Sequence, residues 1–141
     1  MAIKFLHVLP TDLDSLPEIA ITWLQNAIDR TPASTSRLNI TLDIAKKGYG
    51  DIFLITAGEE MTGVCYLLTY DTKDGKVLSP VLVGGKNMSR WKKDFHEFLY
   101  KVAERINPEV IVRFIARKGW GKEFPDCKVI GHIYEHRIGG V

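Results

Sequence analysis

Apolar and polar positions change their period repeatedly along the chain, and each change marks an element. Ile3-Lys4-Phe5-Leu6-His7-Val8-Leu9 is a short, mostly apolar run that reads as a strand, stopped by Pro10. Thr11 or Asp12 then caps a helix, in which Leu13, Leu16, Ile19, Ala20, Trp23, Leu24, Ala27 and Ile28 form one stripe at helical spacing. That helix ends around Arg30-Thr31-Pro32, and Ala33-Ser34-Thr35-Ser36 is a polar turn. A second helix is expected from about Arg37 to Lys47, against the grain of its β-branched Ile40, Thr41 and Ile44, with Gly48 and Gly50 closing it.

Three strands come next. Asp51 to Ala57 meets a turn at Gly58-Glu59-Glu60, Met61 to Tyr70 returns from it, and Asp74-Gly75 turns the chain into Lys76 to Val83. This predicts an antiparallel meander over residues 51–83. Gly84-Gly85 leads into a helix expected to begin near Asn87-Met88-Ser89. Trp91, Phe95, Phe98, Leu99, Val102, Ala103 and Ile106 lie on its apolar face, and Asn107-Pro108 ends it. Glu109 to Ala116 reads as a buried strand, parallel to the one ending at Val83 because a helix joins the two. A short helical turn over Gly119 to Phe124 and a last strand through His132, Tyr134 and His136 complete the order. Repeats, low-complexity tracts and linkers are missing, so residues 1–141 are expected to form one domain.

Composition adds limits. At 141 residues, 45% hydrophobic and 26% charged, the chain is an ordinary globular sequence with enough length for a core. No apolar run approaches the roughly 20 residues of a membrane helix, and the first residues lack a signal-peptide layout. Cys65 and Cys127 form no motif, and Cys65 sits in an apolar strand as a buried thiol would. A reducing cytoplasm is the expected compartment.

The net charge of +2 conceals an asymmetry: residues 1–75 hold 6 basic and 10 acidic side chains, and residues 76–141 hold 13 and 7. Lys86, Arg90, Lys92 and Lys93 cluster where the central helix begins, where positive charge opposes the helix dipole. A phosphorylated ligand, a nucleic acid or plain surface solvation each account for them. Of these partners nucleic acid is the least expected, since aromatic and basic residues are not interleaved.

Glycines between a strand and a helix let the backbone turn sharply and leave N–H groups able to hold an anion such as a pyrophosphate. Arg117, at the carboxyl end of a predicted central strand, is either a phosphate or carboxylate ligand or a solvent-facing charge. Trp120 either covers a ligand or plugs the sheet. His132 and His136 share a strand face with Tyr134, but four residues of strand put the histidines about 13 Å apart, too far to share a metal with ligands at about 2 Å. No metal site is expected, and Tyr134 remains a weak candidate acid or substrate contact.

The order of elements (strand, two helices, three antiparallel strands, helix, strand, short helix, strand) resembles the GNAT superfamily of acetyl-CoA-dependent N-acetyltransferases over nearly the whole chain. The resemblance implies an α/β fold, a mixed, mainly antiparallel twisted sheet with helices on both faces. It further implies that Leu82, Val83 and Gly84 edge the pantetheine arm of acetyl-CoA, and that Gly85, Lys86, Asn87, Met88, Ser89 and Arg90 form the pyrophosphate loop. Two departures stand out. The family's loop signature, Gln or Arg, two residues, Gly, one residue, then Gly or Ala, is not reproduced by Val83-Gly84-Gly85-Lys86-Asn87-Met88-Ser89-Arg90. The tyrosine that many members carry after the fifth strand has no counterpart in Gly119-Trp120-Gly121-Lys122-Glu123-Phe124.

The strings Leu82-Val83-Gly84-Gly85-Lys86-Asn87-Met88 and Ala116-Arg117-Lys118-Gly119-Trp120 are similar to small GNAT-like proteins of tailed bacteriophages, some of them internal virion proteins. Two functions follow from the resemblance. The first is a phage-encoded protein with a degenerate acyl-CoA site, acting as a virion-associated or assembly factor in the host cytoplasm or the particle, with phage structural proteins as partners. The alternative is an active N-acetyltransferase on a small amine or a host protein.

Overall fold

The structure, a computed structural model, describes residues 2–30, 37–107, 109–115, 128–130 and 133–137, with side chains as far as Arg113. The expected turn at 33–36, the short helix at 119–124, and Arg117, Trp120, Cys127 and His132 lie outside the described residues. Strands β1 (Ile3–Val8), β2 (Asp51–Ala57), β3 (Glu60–Thr72), β4 (Gly75–Gly85), β5 (Ile111–Ile115), β6 (Lys128–Ile130) and β7 (Ile133–Arg137) accompany helices α1 (Glu18–Arg30), α2 (Leu38–Lys46) and α3 (Lys92–Ile106). The fold is mixed α/β, and every described pairing is antiparallel except that of β4 with β5.

The chain forms two compact units, Met1–Leu68 with Leu82–Met88 and Thr69–Val81 with Ser89–Val141. In the first, the strand order is β1-β2-β3-β4, the last contributing only its end. Its core joins Leu24 and Ile28 of α1 and Ala45 of α2 to Ile52, Val64, Tyr66 and Leu82 of the strands. The single helix expected from Thr11 to Arg30 is broken. Pro10–Ser15 is a 3-10 segment, and α1 begins only at Glu18. Pro17 is the cause, since it has no N–H to return to Leu13 and its ring obstructs a continuous helix. The Leu16 N–H reaches the Leu13 carbonyl instead, at 3.4 Å, and the Pro17 carbonyl accepts from Ala20 and Ile21. Leu13 and Leu16 still reach the core, so the apolar stripe survives a change of helix type.

The β2–β3 ladder carries a bulge. Ile55 pairs with Gly63 and Thr56 with Met61, which leaves Thr62 as an extra residue on β3. Thr62 is buried, and its hydroxyl donates to the Ile55 carbonyl at 3.2 Å.

In the second unit the order is β4-β5-β7-β6. The closed end of the β3–β4 hairpin lies here, fastened by the Thr72 hydroxyl, which donates to the Gly75 carbonyl at 2.8 Å. Buried Phe95, Leu99 and Ala103 fix the inner face of α3, and Trp91, fully buried at the helix start, meets Phe95 edge to face at 6.1 Å. The predicted parallel neighbours β4 and β5 are present. The one last strand expected from the sequence is two, β6 and β7, paired antiparallel.

Candidate functional site

The predicted site lies where β4 ends and α3 begins. Leu82 is a core side chain, so only its backbone can face a ligand. Gly84 is buried against α1: a Cβ there would lie 2.6 Å from the Trp23 carbonyl oxygen. Gly85, with φ of +149°, sits on the bulge, where a Cβ would be 2.2 Å from the Thr62 carbonyl oxygen and 2.6 Å from the Gly63 Cα. Both glycines are therefore demanded by close approach of neighbouring backbone.

Lys86 is held at both ends. Its N–H donates to the Thr62 carbonyl at 2.8 Å, and its Nζ pairs with Glu60 Oε1 at 2.5 Å. Asn87 follows in the left-handed region at φ 54°, a conformation asparagine tolerates better than most residues. Met88–Arg90 is a 3-10 turn, and α3 starts at Lys92 rather than near Asn87. The positive φ of Asn87 explains the delay, because a right-handed helix cannot pass through it. Trp91 precedes α3 without capping it by a side-chain hydrogen bond, and Asp94 is the acidic residue of its first turn. Exposed Ser89, Arg90 and Lys93 and half-buried Lys92 surround this helix start.

Strand β4 parts from β5 early. Their described register pairs Val77 with Ile111 and Leu78 with Val112, although within this unit β4 continues to Val81 and β5 to Ile115. Pro80, which has no N–H to give a ladder, falls just after the last pair. Beyond that point Ser79 is half-buried and Val81 is exposed.

Tyr134 lies within β7, opposite Phe114 of β5 and Val129 of β6, and its side chain is outside the described ones. His96 of α3 is half-buried, with its ring 4.5 Å from that of Tyr100. Among the described residues no three His, Cys, Asp or Glu side chains converge as a metal site, and no described helix is long and apolar enough to cross a membrane. Cys65 is fully buried, and burial pushes its thiol far above the ordinary range, which removes it as a nucleophile.

From the sequence Glu59-Glu60 reads as a polar turn, and nothing singles out Thr62, because a bulge residue leaves no mark on local composition.

No protein-family model matches the chain, and no curated protein sequence does. Solved structures do. An acetyltransferase from Thermus thermophilus aligns at TM-score 0.63 with 14% identity, covering 98% of each chain. A GNAT family acetyltransferase from Brucella melitensis, in complex with acetyl-CoA, aligns at 0.64 with 8% identity over 99% of this chain and 90% of that one. The chain has the GNAT fold. An aminoglycoside acetyltransferase from an uncultured soil metagenomic sample, in complex with sisomicin, shares that GNAT-type architecture at TM-score 0.60 and 12% identity, over 87% of this chain and 84% of the other. At such identities the likeness concerns the fold, and the chemistry has to be argued from this chain's own residues.

Proposed function

We propose that this GNAT-fold chain binds acetyl-CoA and transfers its acetyl group to an amine. The observation that carries this reading is the early parting of β4 from β5 after Leu78 and Val112. Strand backbone beyond a ladder offers N–H and C=O groups to an extended, amide-bearing ligand, as a strand edge does to a peptide. The carboxyl ends of strands in open α/β sheets are where such ligands lie.

The donor set suits a polyphosphate. The start of a helix turns backbone N–H groups towards its end, and Trp91, the N-cap of α3, makes no side-chain capping hydrogen bond. Arg90, Lys92 and Lys93 add positive charge at the end where the helix dipole already favours an anion. Gly85, Lys86, Asn87, Met88, Ser89 and Arg90 would form the phosphate loop, and the backbone of Leu82, Val83 and Gly84 would border the arm. When bound, acetyl-CoA supplies an activated thioester. The chain's part is to orient it and to aim β4 backbone N–H groups at developing negative charge. Arg117, Trp120 and Tyr134 stay as proposed ligand contacts.

A thermal-shift titration with acetyl-CoA, checked by calorimetry and with desulfo-CoA as a second ligand, tests the binding. A saturable rise is expected, because a ligand that binds only the folded state stabilises it by mass action. No shift at millimolar coenzyme would refute the reading. Given binding, release of free thiol in a screen of amines tests transfer.

One observation favours a second reading. Both hydrogen-bonding ends of Lys86 are already engaged by the protein itself, as in a cradle that has lost its ligand. In this reading the chain is a phage-encoded, virion-associated or assembly factor with a degenerate coenzyme site. Failure to find it by mass spectrometry in purified particles of a phage that encodes it would end that reading.

A further inference from the structure

We propose that Glu60 is a charge gate on the phosphate loop, holding the Lys86 ammonium against β3 and thereby setting the affinity for phosphate-bearing ligands. The inference rests on the coenzyme-binding reading above.

The loop cannot swing away as a whole. The Lys86 amide is bonded to the Thr62 carbonyl, and Gly85 packs directly on the backbone of Thr62 and Gly63. Backbone position is thus fixed at the bulge, and only the side chains of Lys86 and Glu60 are left to rearrange. Those two groups are about half exposed, at 50% and 56%. Ion pairs in that setting are weak and screened by salt. The pyrophosphate of coenzyme A carries two negative charges against one on the carboxylate, and it can take the ammonium from Glu60 as it enters the loop. Until it does, Glu60 cancels the one positive charge immediately following the glycine pair.

The test is calorimetry of coenzyme A on the full chain, at about 50 mM and about 300 mM salt, where screening differs strongly. The variants are Glu60→Gln, Lys86→Gln and the double substitution, with pantetheine as a phosphate-free control. Glu60→Gln is expected to tighten coenzyme A about threefold at low salt, in line with a single exposed charge. The gain should shrink at high salt and be lost in the double variant. Pantetheine affinity should not change. Equal coenzyme affinity in wild type and Glu60→Gln overturns the gate. An equal gain for pantetheine also overturns it, since the effect would then be structural. Absence of coenzyme binding in every variant, with unchanged circular dichroism, refutes the coenzyme reading itself and the gate with it.

Discussion

Substituting Gly84 by alanine separates packing from ligand binding. Gly84 is not among the glycines with positive φ, so its backbone suits any residue. At such a position alanine ordinarily stabilises by about 0.4–1 kcal/mol, through the unfolded state. Here the added Cβ would meet the Trp23 carbonyl oxygen at 2.6 Å and carbon at 3.1 Å, and the Trp23 Cβ at 3.2 Å. The obstacle is helical backbone, so α1 and β4 must move apart, and overpacking of this kind costs about 1–3 kcal/mol. The net expectation is a loss of about 1–2 kcal/mol, which for a domain of this size lowers Tm by roughly 3–7 °C. Urea denaturation should show a lower midpoint at unchanged slope. Trp23→Phe should not rescue the variant, because it retains the obstructing atoms. A Gly84→Ala protein as stable as wild type would refute the packing argument, and rescue by Trp23→Phe would move the obstacle to the indole. For the same reason, loss of coenzyme binding in Gly85→Glu would prove nothing about contact, since the side chain would strike the bulge first.

Two further outcomes are expected. Because the Cys65 thiol is held protonated by burial while the unfolded thiol ionises around its ordinary value of 9.0, the unfolded state binds fewer protons above that pH. Stability should therefore fall as pH rises past 9, by up to about 1.4 kcal/mol per unit, and Cys65→Ala should flatten the slope in pH-dependent urea melts. Tyr66 adds to the trend in the same sense above the ordinary phenol value of 10.0, its hydroxyl being raised by burial and by the nearby Asp51 carboxylate. The same hydroxyl donates to the Tyr49 carbonyl at 2.7 Å. Tyr66→Phe should cost about 0.5–1.5 kcal/mol by chemical denaturation, and no loss would mean that water replaces the phenol without penalty.

Much of the fold was legible from periodicity. Period-2 alternation and the Asp74-Gly75 turn located β2, β3 and β4, and the 3.6-residue stripe gave the buried face of α3. The errors occur where one residue overrides a pattern. Pro17 lies inside an intact apolar stripe, so the stripe concealed the break that the ring imposes. Asn87 looked like a helix start, but its left-handed backbone delays the helix to Lys92. The candidate site was legible as a stretch of chain. Its wiring was not, because the Lys86 contacts depend on β3 register, and the bulge displaces that register by one residue. No local composition announces a bulge.

That extra residue makes a deletion milder than many substitutions. Removing Thr62 would join Met61 directly to Gly63, and the pairs Gly63–Ile55 and Met61–Thr56 would persist as an unbroken ladder. What would vanish is the residue whose carbonyl anchors Lys86. A length change of one residue in β3 would thus leave β2 undisturbed and uncouple the loop after β4, a dial that natural insertions and deletions can turn without rebuilding the sheet.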